Sequence, residues 1–345
     1  MIEIDGGLHS GSGSIVRQAV AYAAVTGQPV HMVNVRARRP NPGLRRQQLR
    51  AVEAICQLVG GTVQGAVPGA RAFTFQPGTA TPAGRHAWDI GSAGSTTMVA
   101  LAMLPLLAVG AKPVQVELRG GLFQDFAPSV FHLQHALLPL LARMGATVRA
   151  EMVRPGYVPS GGGVLRLEVV PASGPLRPLV ATQRGDLQRI WGISLASHLA
   201  RRRVSARIAD AARHTLQAAG LHASIQELED TGALQPGAAL ALFADLEGGT
   251  RVGADRAGAP RRSAEAIGTQ VARQLQQELD SDACVDRFVA DQLVPFAALA
   301  AGESRVRIPR ETEHVRTGMW LARVFLGVQA WLDGQTLTVP GCGRS

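Results

Sequence analysis

The sequence contains almost no lysine. Lys112 is the single lysine among the 35 lysine and arginine residues, and its surroundings do not match the GxxxxGK[ST] pattern of a P-loop. A P-loop nucleotide site is therefore excluded. No lysine precedes an Asp-Gly pair either, so a lysine nucleophile of the ligase type is not expected.

Three further absences narrow the class of protein. The three cysteines are Cys56, Cys284 and Cys342; they lie far apart and form no CxxC pair, so we expect neither a disulfide framework nor a zinc site. No stretch of 18 apolar residues is free of charge, glycine or proline, so we expect no membrane span. The first residues carry neither a basic nor an apolar signal segment, which favours a cytoplasmic protein.

The composition is that of a basic globular protein. The chain has 345 residues, of which 46% are hydrophobic and 18% charged, and its formal net charge is +9. The length predicts about two domains. The positive charge favours a polyanionic partner such as nucleic acid, but a basic enzyme without such a partner fits it equally well.

Strand-like and helix-like segments alternate along the chain. Valine-rich runs predict strands at residues 30–35, 114–118, 164–170 and 337–339. Apolar residues at helical spacing predict helices at residues 46–59, 96–107, 130–144 and 264–279. Two of these helices run through Gly60 and Gly145 into a strand, and Gly220 marks a looser third copy of this unit. The alternation is typical of α/β and α+β folds.

A change in composition predicts a separate or inserted domain. The stretch 171–178 is rich in proline, glycine and serine, and the chain from 185 to 279 is more charged than the rest. Apolar regular structure resumes after residue 285. Within the charged part, the glycine- and arginine-rich stretch 248–262 is predicted to be a mobile loop.

Two loops rich in glycine and serine precede predicted helices. The first covers residues 5–14, with Arg17 one turn into the following helix, and the second covers residues 89–96. Free backbone N–H groups at such helix starts can bind phosphate. Ordinary helix capping explains the same composition.

A cluster of arginines follows the first predicted strand, residues 30–35. It comprises Arg36, Arg38, Arg39, Arg45, Arg46 and Arg50. Arg46 and Arg50 are four residues apart, so they share a helix face and repel each other unless an anion lies between them. Because guanidinium groups match phosphate geometry, the cluster favours an anion-binding surface over a solvated charged face.

Three histidines are candidate functional groups. His314 lies in a polar segment before a predicted helix at 319–328, and a helix start favours the neutral, nucleophilic imidazole; by spacing alone, an exposed or structural histidine fits better. His132 and His135 are three residues apart on a predicted helix. They have no third ligand at a metal spacing, which favours a structural role over zinc.

In order and spacing, these segments resemble the RNA 3′-terminal phosphate cyclase family over nearly the whole chain. The segments that carry the resemblance are the loop 5–14, RARRPNPGLRRQ at 36–47, IGSAGS at 90–95, Gly120-Gly121 with Ala127-Pro128, GYVPSGGG at 156–163, ADQL at 290–293, and His314. Together they are much more specific than any single motif.

The resemblance implies an ATP-dependent enzyme. A histidine would attack the α-phosphate of ATP, AMP would pass to an RNA 3′-phosphate, and the ribose 2′-OH would close a 2′,3′-cyclic phosphate. The implied fold is α+β: a large domain of repeated α/β units, similar to cyclases and enolpyruvyl transferases, at residues 1–184 and 280–345. A smaller inserted α/β domain would occupy residues 185–279.

The resemblance also implies site residues and partners. His314 would be the nucleophile, and Phe288 and Pro128 would sandwich the adenine. The implied ATP-binding residues are Phe288, Val289, Ala290, Asp291, Gln292, Pro128, His132 and Arg17. The implied RNA- or phosphate-binding residues are Arg36, Arg39, Arg46 and Gln47. The cofactors would be ATP and a divalent metal, Mg²⁺ or Mn²⁺; the partner would be RNA with a 3′-phosphate, and the oligomeric state, homodimer included, stays open.

The chain departs from the family pattern at polar positions of the implied pocket. Ser10 stands where the family usually has a glutamate thought to help hold metal and nucleotide. Apolar residues also replace polar ones at Leu101, Leu122, Phe123 and Phe131. A catalytically degenerate, RNA-binding relative therefore stays open as the alternative. An enolpyruvyl-transferase-like enzyme is disfavoured because such sites use several lysines.

Overall fold

The computed structural model describes residues 1–344. The strands are β1 Ile2–Asp5, β2 Val30–Val33, β3 Thr62–Gln64, β4 Phe73–Gln76, β5 Gly84–Asp89, β6 Val114–Gly120, β7 Thr147–Arg154, β8 Gly163–Val170, β9 Val180–Ala181, β10 Leu187–Ser197, β11 Ala223–Asp230, β12 Gly237–Leu246, β13 Arg251–Ala257, β14 Glu303–Arg307, β15 Trp331–Asp333 and β16 Thr336–Pro340. The helices are α1 Gly13–Thr26, α2 Arg46–Val59, α3 Thr96–Ala108, α4 Val130–His132, α5 Leu138–Met144, α6 Val204–Gln217, α7 Ala264–Asp280, α8 Arg287–Leu299 and α9 Glu313–Leu326. A π-helical turn, Leu133–Leu137, joins α4 to α5, and a 3₁₀ turn, Ala200–Arg202, precedes α6.

Three of the four sheets have the same topology. Their strand orders are β1-β2-β4-β3, β5-β6-β8-β7 and β9-β14-β16-β15. In each sheet the first two strands are parallel, and the remaining two pair antiparallel to their neighbours. Each unit therefore follows the order β-α-β-α-β-β, and the predicted α+β fold of repeated units is confirmed.

The local sequence explains how the helices of these units form and end. Helix α3 is apolar on all sides, and nearly all of its residues are buried, as expected of a central helix. Helix α2 is amphipathic and ends at Gly60, which adopts φ 63° and whose N–H bonds back to the last turn. Helix α1 packs against both α3 and α9, so the three units meet around it.

The fourth sheet is built by the chain between β9 and α8 of the third unit. Its order, β11-β10-β12-β13, differs from that of the other three sheets. Alternate residues of β12 point to opposite faces: Leu240 and Leu242 pack in a core with α6 and α7, whereas Phe243 joins the main core. These elements run from Leu187 to Asp280; the division of the chain into domains stays a prediction.

The helix–glycine–strand unit predicted at Gly220 is confirmed, since Gly220 joins α6 to β11, but it lies in the fourth sheet; the position equivalent to Gly60 and Gly145 in the repeated units is Gly327, which ends α9 before β15. Two other sequence-based expectations need correction. The middle of the stretch 248–262 is not a loop, because residues 251–257 form β13, paired along its length with β12. The last helix begins at residue 313 rather than 319, since Thr312 caps it by accepting a hydrogen bond from the N–H of Val315.

No helix among residues 1–344 is long and apolar enough to cross a membrane.

Candidate nucleotide and RNA site

A cleft of about 420 Å³ lies where helix starts from all three units meet. Helices α1, α2, α3, α8 and α9 each contribute residues from their first two turns, and the loop between β6 and α4 completes the wall. Its lining comprises Ser12, Gly13, Ser14, Val16, Arg17, Arg36, Arg39, Pro40, Asn41, Arg45, Gln47, Gln48, Ala51, Met98, Gln124, Asp125, Phe126, Ala127, Pro128, Phe288, Asp291, Gln292 and His314. Helix N-termini carry partial positive charge, so their convergence favours an anionic ligand.

The glycine- and serine-rich loop brings four hydroxyl groups together beside the start of α9. The hydroxyl of Ser12 lies 3.2 Å from that of Ser10 and 2.9 Å from that of Ser14. Thr317, on α9, donates to Ser10 at 3.0 Å. Ser10 thus contributes a hydroxyl to an uncharged network.

His314 lies in the first turn of α9 and is half-buried in the cleft wall. Its Nδ1 lies 3.1 Å from the hydroxyl of Ser14, and Nε2 has no hydrogen-bonding partner among the described residues. Burial, helped by the positive charges of Arg17 and Arg39, lowers the pKa of His314 below its usual value. The imidazole is therefore neutral near pH 7, and in the tautomer whose Nδ1–H donates to Ser14 the Nε2 lone pair is free.

Arg17 is a buried cation in the floor of the cleft. Its Nη2 donates to the amide oxygen of Gln292 at 3.0 Å, and its Nη1 lies 3.1 Å from the sulfur of Met98. Burial lowers the pKa of Arg17 to about 10, and nearby Asp291 opposes this shift. Arg17 thus remains charged at neutral pH and available to an anion.

Asp291 lies beside this cation without a direct salt bridge to it. Burial raises the pKa of Asp291 to about 7, although Arg17 lowers it. Its Oδ2 accepts a hydrogen bond from the Gln292 amide at 2.7 Å. Near neutral pH the carboxyl group therefore titrates, and it supplies at most part of a negative charge to the cleft.

The outer rim of the cleft is formed by arginines from the predicted cluster. Arg36 donates to the carbonyl oxygens of Asn41 and Gly43 at 2.8 and 2.9 Å. Burial, together with Arg45 and Arg39, lowers the pKa of Arg36. No carboxylate among residues 1–344 pairs with these three arginines; Arg50, further along α2, pairs with Glu53. The rim therefore carries uncompensated positive charge, which suits phosphate groups.

Phe288 and Pro128 occupy the part of the wall where α8 begins and the β6–α4 loop ends. The carboxylate of Asp286 caps α8 by accepting from the N–H of Phe288 at 2.9 Å. Asp286 also lies 3.0 Å from Nε2 of the buried His132. Burial disfavours a charged His132, yet Asp286 outweighs this and raises its pKa to about 9.

A second buried carboxylate fixes the Pro128 side of this wall. Asp255, on β13, accepts a hydrogen bond from the N–H of Ser129 at 2.6 Å, while the hydroxyl of Thr97 donates to the carbonyl of Pro128 at 2.7 Å. The fourth sheet therefore helps to position both apolar walls of the cleft, because the N–H of Gly253 on β13 also donates to Asp286.

Nine of the thirteen residues singled out from the sequence line the cleft. They are His314, Phe288, Asp291, Gln292, Pro128, Arg17, Arg36, Arg39 and Gln47. Their individual roles stay predictions.

The other four do not line the cleft. Val289 and Ala290 point into the protein core, because α8 turns them away from Phe288. His132 is buried against Asp286, edge-on to the ring of Phe288. Arg46 is exposed and donates to the carbonyl of Gly91.

Sequence reasoning missed several lining residues. Gln48 and Gln124 are neighbours of motif residues, and their positions follow from the helix start and from the Gly120-Gly121 turn only once the chain is folded. Phe126 carried no signal in the sequence, because a lone aromatic residue in a loop looks like any other. Asp125, which also lines the cleft, pairs with Arg262 at 2.7 Å.

The cleft does not present a metal site built from protein ligands alone. No cluster of three or more histidine, cysteine or acidic side chains suited to a metal occurs in the described part of the chain. The hydrogen bond with Arg262 lowers the pKa of Asp125 and occupies its oxygens. His9 packs against Trp320 with ring centroids 5.2 Å apart. The described residues of the cleft therefore offer no complete set of protein ligands for a metal.

Comparison with known proteins gives one consistent match. The sequence profile of the family described as "RNA 3'-terminal phosphate cyclase" matches residues 8–332. It covers every described helix and all of the cleft-lining residues, whereas β1 and β16 lie outside it.

Individual relatives match over almost their full length. A protein of Caldivirga maquilingensis named RNA 3'-terminal phosphate cyclase is 37% identical over 331 residues, covering 94% of this chain and 93% of its own. Proteins of the same name from Pyrococcus abyssi and Thermococcus onnurineus are 36% and 38% identical, each alignment covering 97% of this chain and 96% of the relative.

Proposed function

The chain belongs to the RNA 3′-terminal phosphate cyclase family, and from this we propose that it converts an RNA 3′-phosphate into a 2′,3′-cyclic phosphate at the expense of ATP. The observation that carries the proposal is the state of His314. It is a neutral imidazole at the edge of an arginine-lined cleft, with Nδ1 beside Ser14 and Nε2 free. This is the state that a nucleophilic histidine requires.

In the proposed first step, Nε2 of His314 attacks the α-phosphorus of ATP. The N–P bond forms as the bond to the β-phosphate oxygen breaks, and pyrophosphate leaves. The proton on Nδ1 stays shared with Ser14, so the imidazole reacts without first losing a proton. Arg17 and the rim arginines offset the negative charge that gathers around the phosphates.

In the second and third steps, the RNA displaces the protein and then AMP. An oxygen of the RNA 3′-phosphate attacks the phosphorus of the histidine adenylate, and His314 leaves with its Nε2 lone pair restored. The ribose 2′-OH then attacks the 3′-phosphorus, loses its proton, and expels AMP. Adenylation serves this reaction because AMP is a far better leaving group than an oxide ion.

Phe288 and Pro128 are the proposed flanks of the adenine, because the family resemblance implies this role and both residues line the cleft. The family resemblance implies Mg²⁺ or Mn²⁺ as well. Ser10 and the paired Asp125 offer such an ion no free carboxylate, so we route no step through a metal. Cytoplasmic location remains part of the proposal.

The proposal is tested by the transfer of label from α-³²P-ATP to the protein, with Mg²⁺ or Mn²⁺ in separate reactions. We expect an acid-labile adduct on the wild type and none on His314→Asn. His222→Asn is the matched control, because His222 is an exposed residue between α6 and β11. Label on His314→Asn would show that the nucleophile is another residue.

The degenerate RNA-binding relative predicts a different outcome of the same experiment. Its supporting observation is the hydroxyl of Ser10 in place of a carboxylate. No label with either metal, combined with tight binding of 3′-phosphorylated RNA, would favour that alternative.

A further inference from the structure

Phe126 is the most exposed large apolar side chain at the mouth of the cleft. Its side chain is 97% exposed, although it belongs to the cleft lining. Its φ of 67° lies in the left-handed region, which a bulky residue rarely adopts because it strains the backbone. Exposure of the ring and strain in the backbone are both unfavourable for folding, so we expect Phe126 to have a function.

The backbone on both sides of Phe126 is firmly held. Before it, both carboxylate oxygens of Asp125 accept from Arg262, at 3.0 and 2.7 Å. After it, the carbonyl of Pro128 accepts from Thr97, and the N–H of Ser129 donates to Asp255. The ring itself has no aromatic partner among the described residues. The loop is thus anchored on both sides of Phe126, and the ring of Phe126 is exposed.

The surroundings of Phe126 indicate what this face would bind. Arg36, Arg39 and Arg45 line the same cleft and carry no paired carboxylate. Proteins recognise single-stranded RNA ends by combining cationic groups for the phosphates with aromatic faces on which bases stack. The adenine of ATP has its own proposed flanks in Phe288 and Pro128, so Phe126 is available to a different base.

We propose that Phe126 is a stacking platform for the 3′-terminal nucleobase of single-stranded RNA. This inference rests on the proposed function and adds to it the way in which the RNA end is held. Stacking uses the π-face that every base has, so the platform would accept all four terminal bases. The arginines would hold the terminal phosphate while the ring holds the base.

The test is the affinity for a 5′-fluorescein RNA with a 3′-phosphate, measured by fluorescence anisotropy at fixed salt without ATP. We expect Phe126→Ala to weaken binding about tenfold, in the range of one lost base stack. Phe126→Trp should bind within about twofold of the wild type, and Phe126→Leu should resemble Phe126→Ala. The control is Val170→Ala, because Val170 is an exposed apolar residue at the end of β8 remote from Gly120.

An otherwise identical RNA that lacks its 3′-terminal base tests whether Phe126 contacts that base. We expect this abasic RNA to bind the wild type about tenfold more weakly, and to bind Phe126→Ala no more weakly than the intact RNA does. Independent, additive losses would place the ring elsewhere on the RNA and overturn the proposal. So would a change in sedimentation on Phe126→Ala, which would identify the face as a contact with a second copy.

The outcome can be separated from that of the proposed function. Self-adenylation of the wild type tests the chemistry without RNA. If the wild type becomes labelled but terminal base and ring show no coupling, the stacking inference alone fails. If Phe126→Ala loses self-adenylation, the ring serves ATP, and the inference fails as well.

Discussion

His314 and His132 occupy opposite electrostatic surroundings in neighbouring parts of the molecule. His314 faces hydroxyl groups and two arginines, and its pKa is lowered. His132 is enclosed by Asp286, Asp255 and Glu278, and its pKa is raised to about 9. Burial opposes the charged form of both rings, so the neighbouring charges decide the difference. The first environment suits a nucleophile and the second a structural cation.

Because the two histidines have different surroundings, we expect substitutions around His132 to lower stability and substitution of His314 to abolish adenylation. Asp286→Ala removes the acceptor for His132, for Gly253 and for the first turn of α8. Because it leaves a buried cation unpaired, we expect a loss of about 3–5 kcal/mol in the free energy of unfolding, measured by urea denaturation. His314→Asn should lose adenylation with a much smaller change in stability.

The control for Asp286→Ala is Asp210→Ala, which breaks an exposed ion pair with Arg213 on α6. We expect it to cost less than about 1 kcal/mol. Equal losses in the two aspartate variants would contradict the buried ion pair.

The two histidines should also respond differently to pH. The pKa of His132 in the folded protein, about 9, is above its unfolded value of about 6.5. Its charge therefore stabilises the fold fully below about pH 6.5, and this contribution disappears as the pH rises through about 9. We expect the stability difference between wild type and His132→Gln to shrink between pH 7 and pH 10 in urea unfolding experiments.

The lowered pKa of His314 predicts the opposite profile for a rate. Protonation of His314 should slow self-adenylation only below about pH 6.5, so a dependence of the rate on pH near 7 is expected to come from Asp291, whose pKa is about 7, and to disappear in Asp291→Asn. A rate of Asp291→Asn that is half-maximal above pH 7 would contradict a neutral His314.

The smallest expected effect concerns the hydroxyl of Ser14, which lies beside His314. Ser14→Ala removes the group beside Nδ1 of His314, so the ring loses its preferred tautomer. We expect self-adenylation to slow about tenfold, equivalent to about 1.4 kcal/mol in the barrier. Ser14→Thr keeps the hydroxyl and should restore most of the rate. A wild-type rate in Ser14→Ala would remove Ser14 from the positioning of the nucleophile.

The regular elements were predictable wherever the local pattern was strong. The bounds of α2 follow from its apolar stripe and from Gly60, and α3 follows from its uninterrupted apolar run. The prediction failed for the stretch that contains β13, because glycine and arginine are typical of loops. In the folded protein, pairing with β12 and burial against the core hold residues 251–257 as a strand. Such pairing is non-local and leaves no signature in a short window.

The candidate site also has features that the sequence predicts and features that it does not. The order of the motifs is a property of the sequence and led to the family. The hydroxyl network joins Ser10 to Thr317 across 307 positions, and no spacing rule predicts a contact of that kind.

By itself, the sequence determined the family, the absence of a lysine-based phosphate site and most of the helices, because these depend on residue identity and local periodicity. The tertiary structure decided which side chains share the cleft, why Val289 and His132 do not reach it, and which histidine is neutral. Those properties depend on burial and on charges that are distant in the chain, and they exist only once the three units and the inserted sheet have packed together.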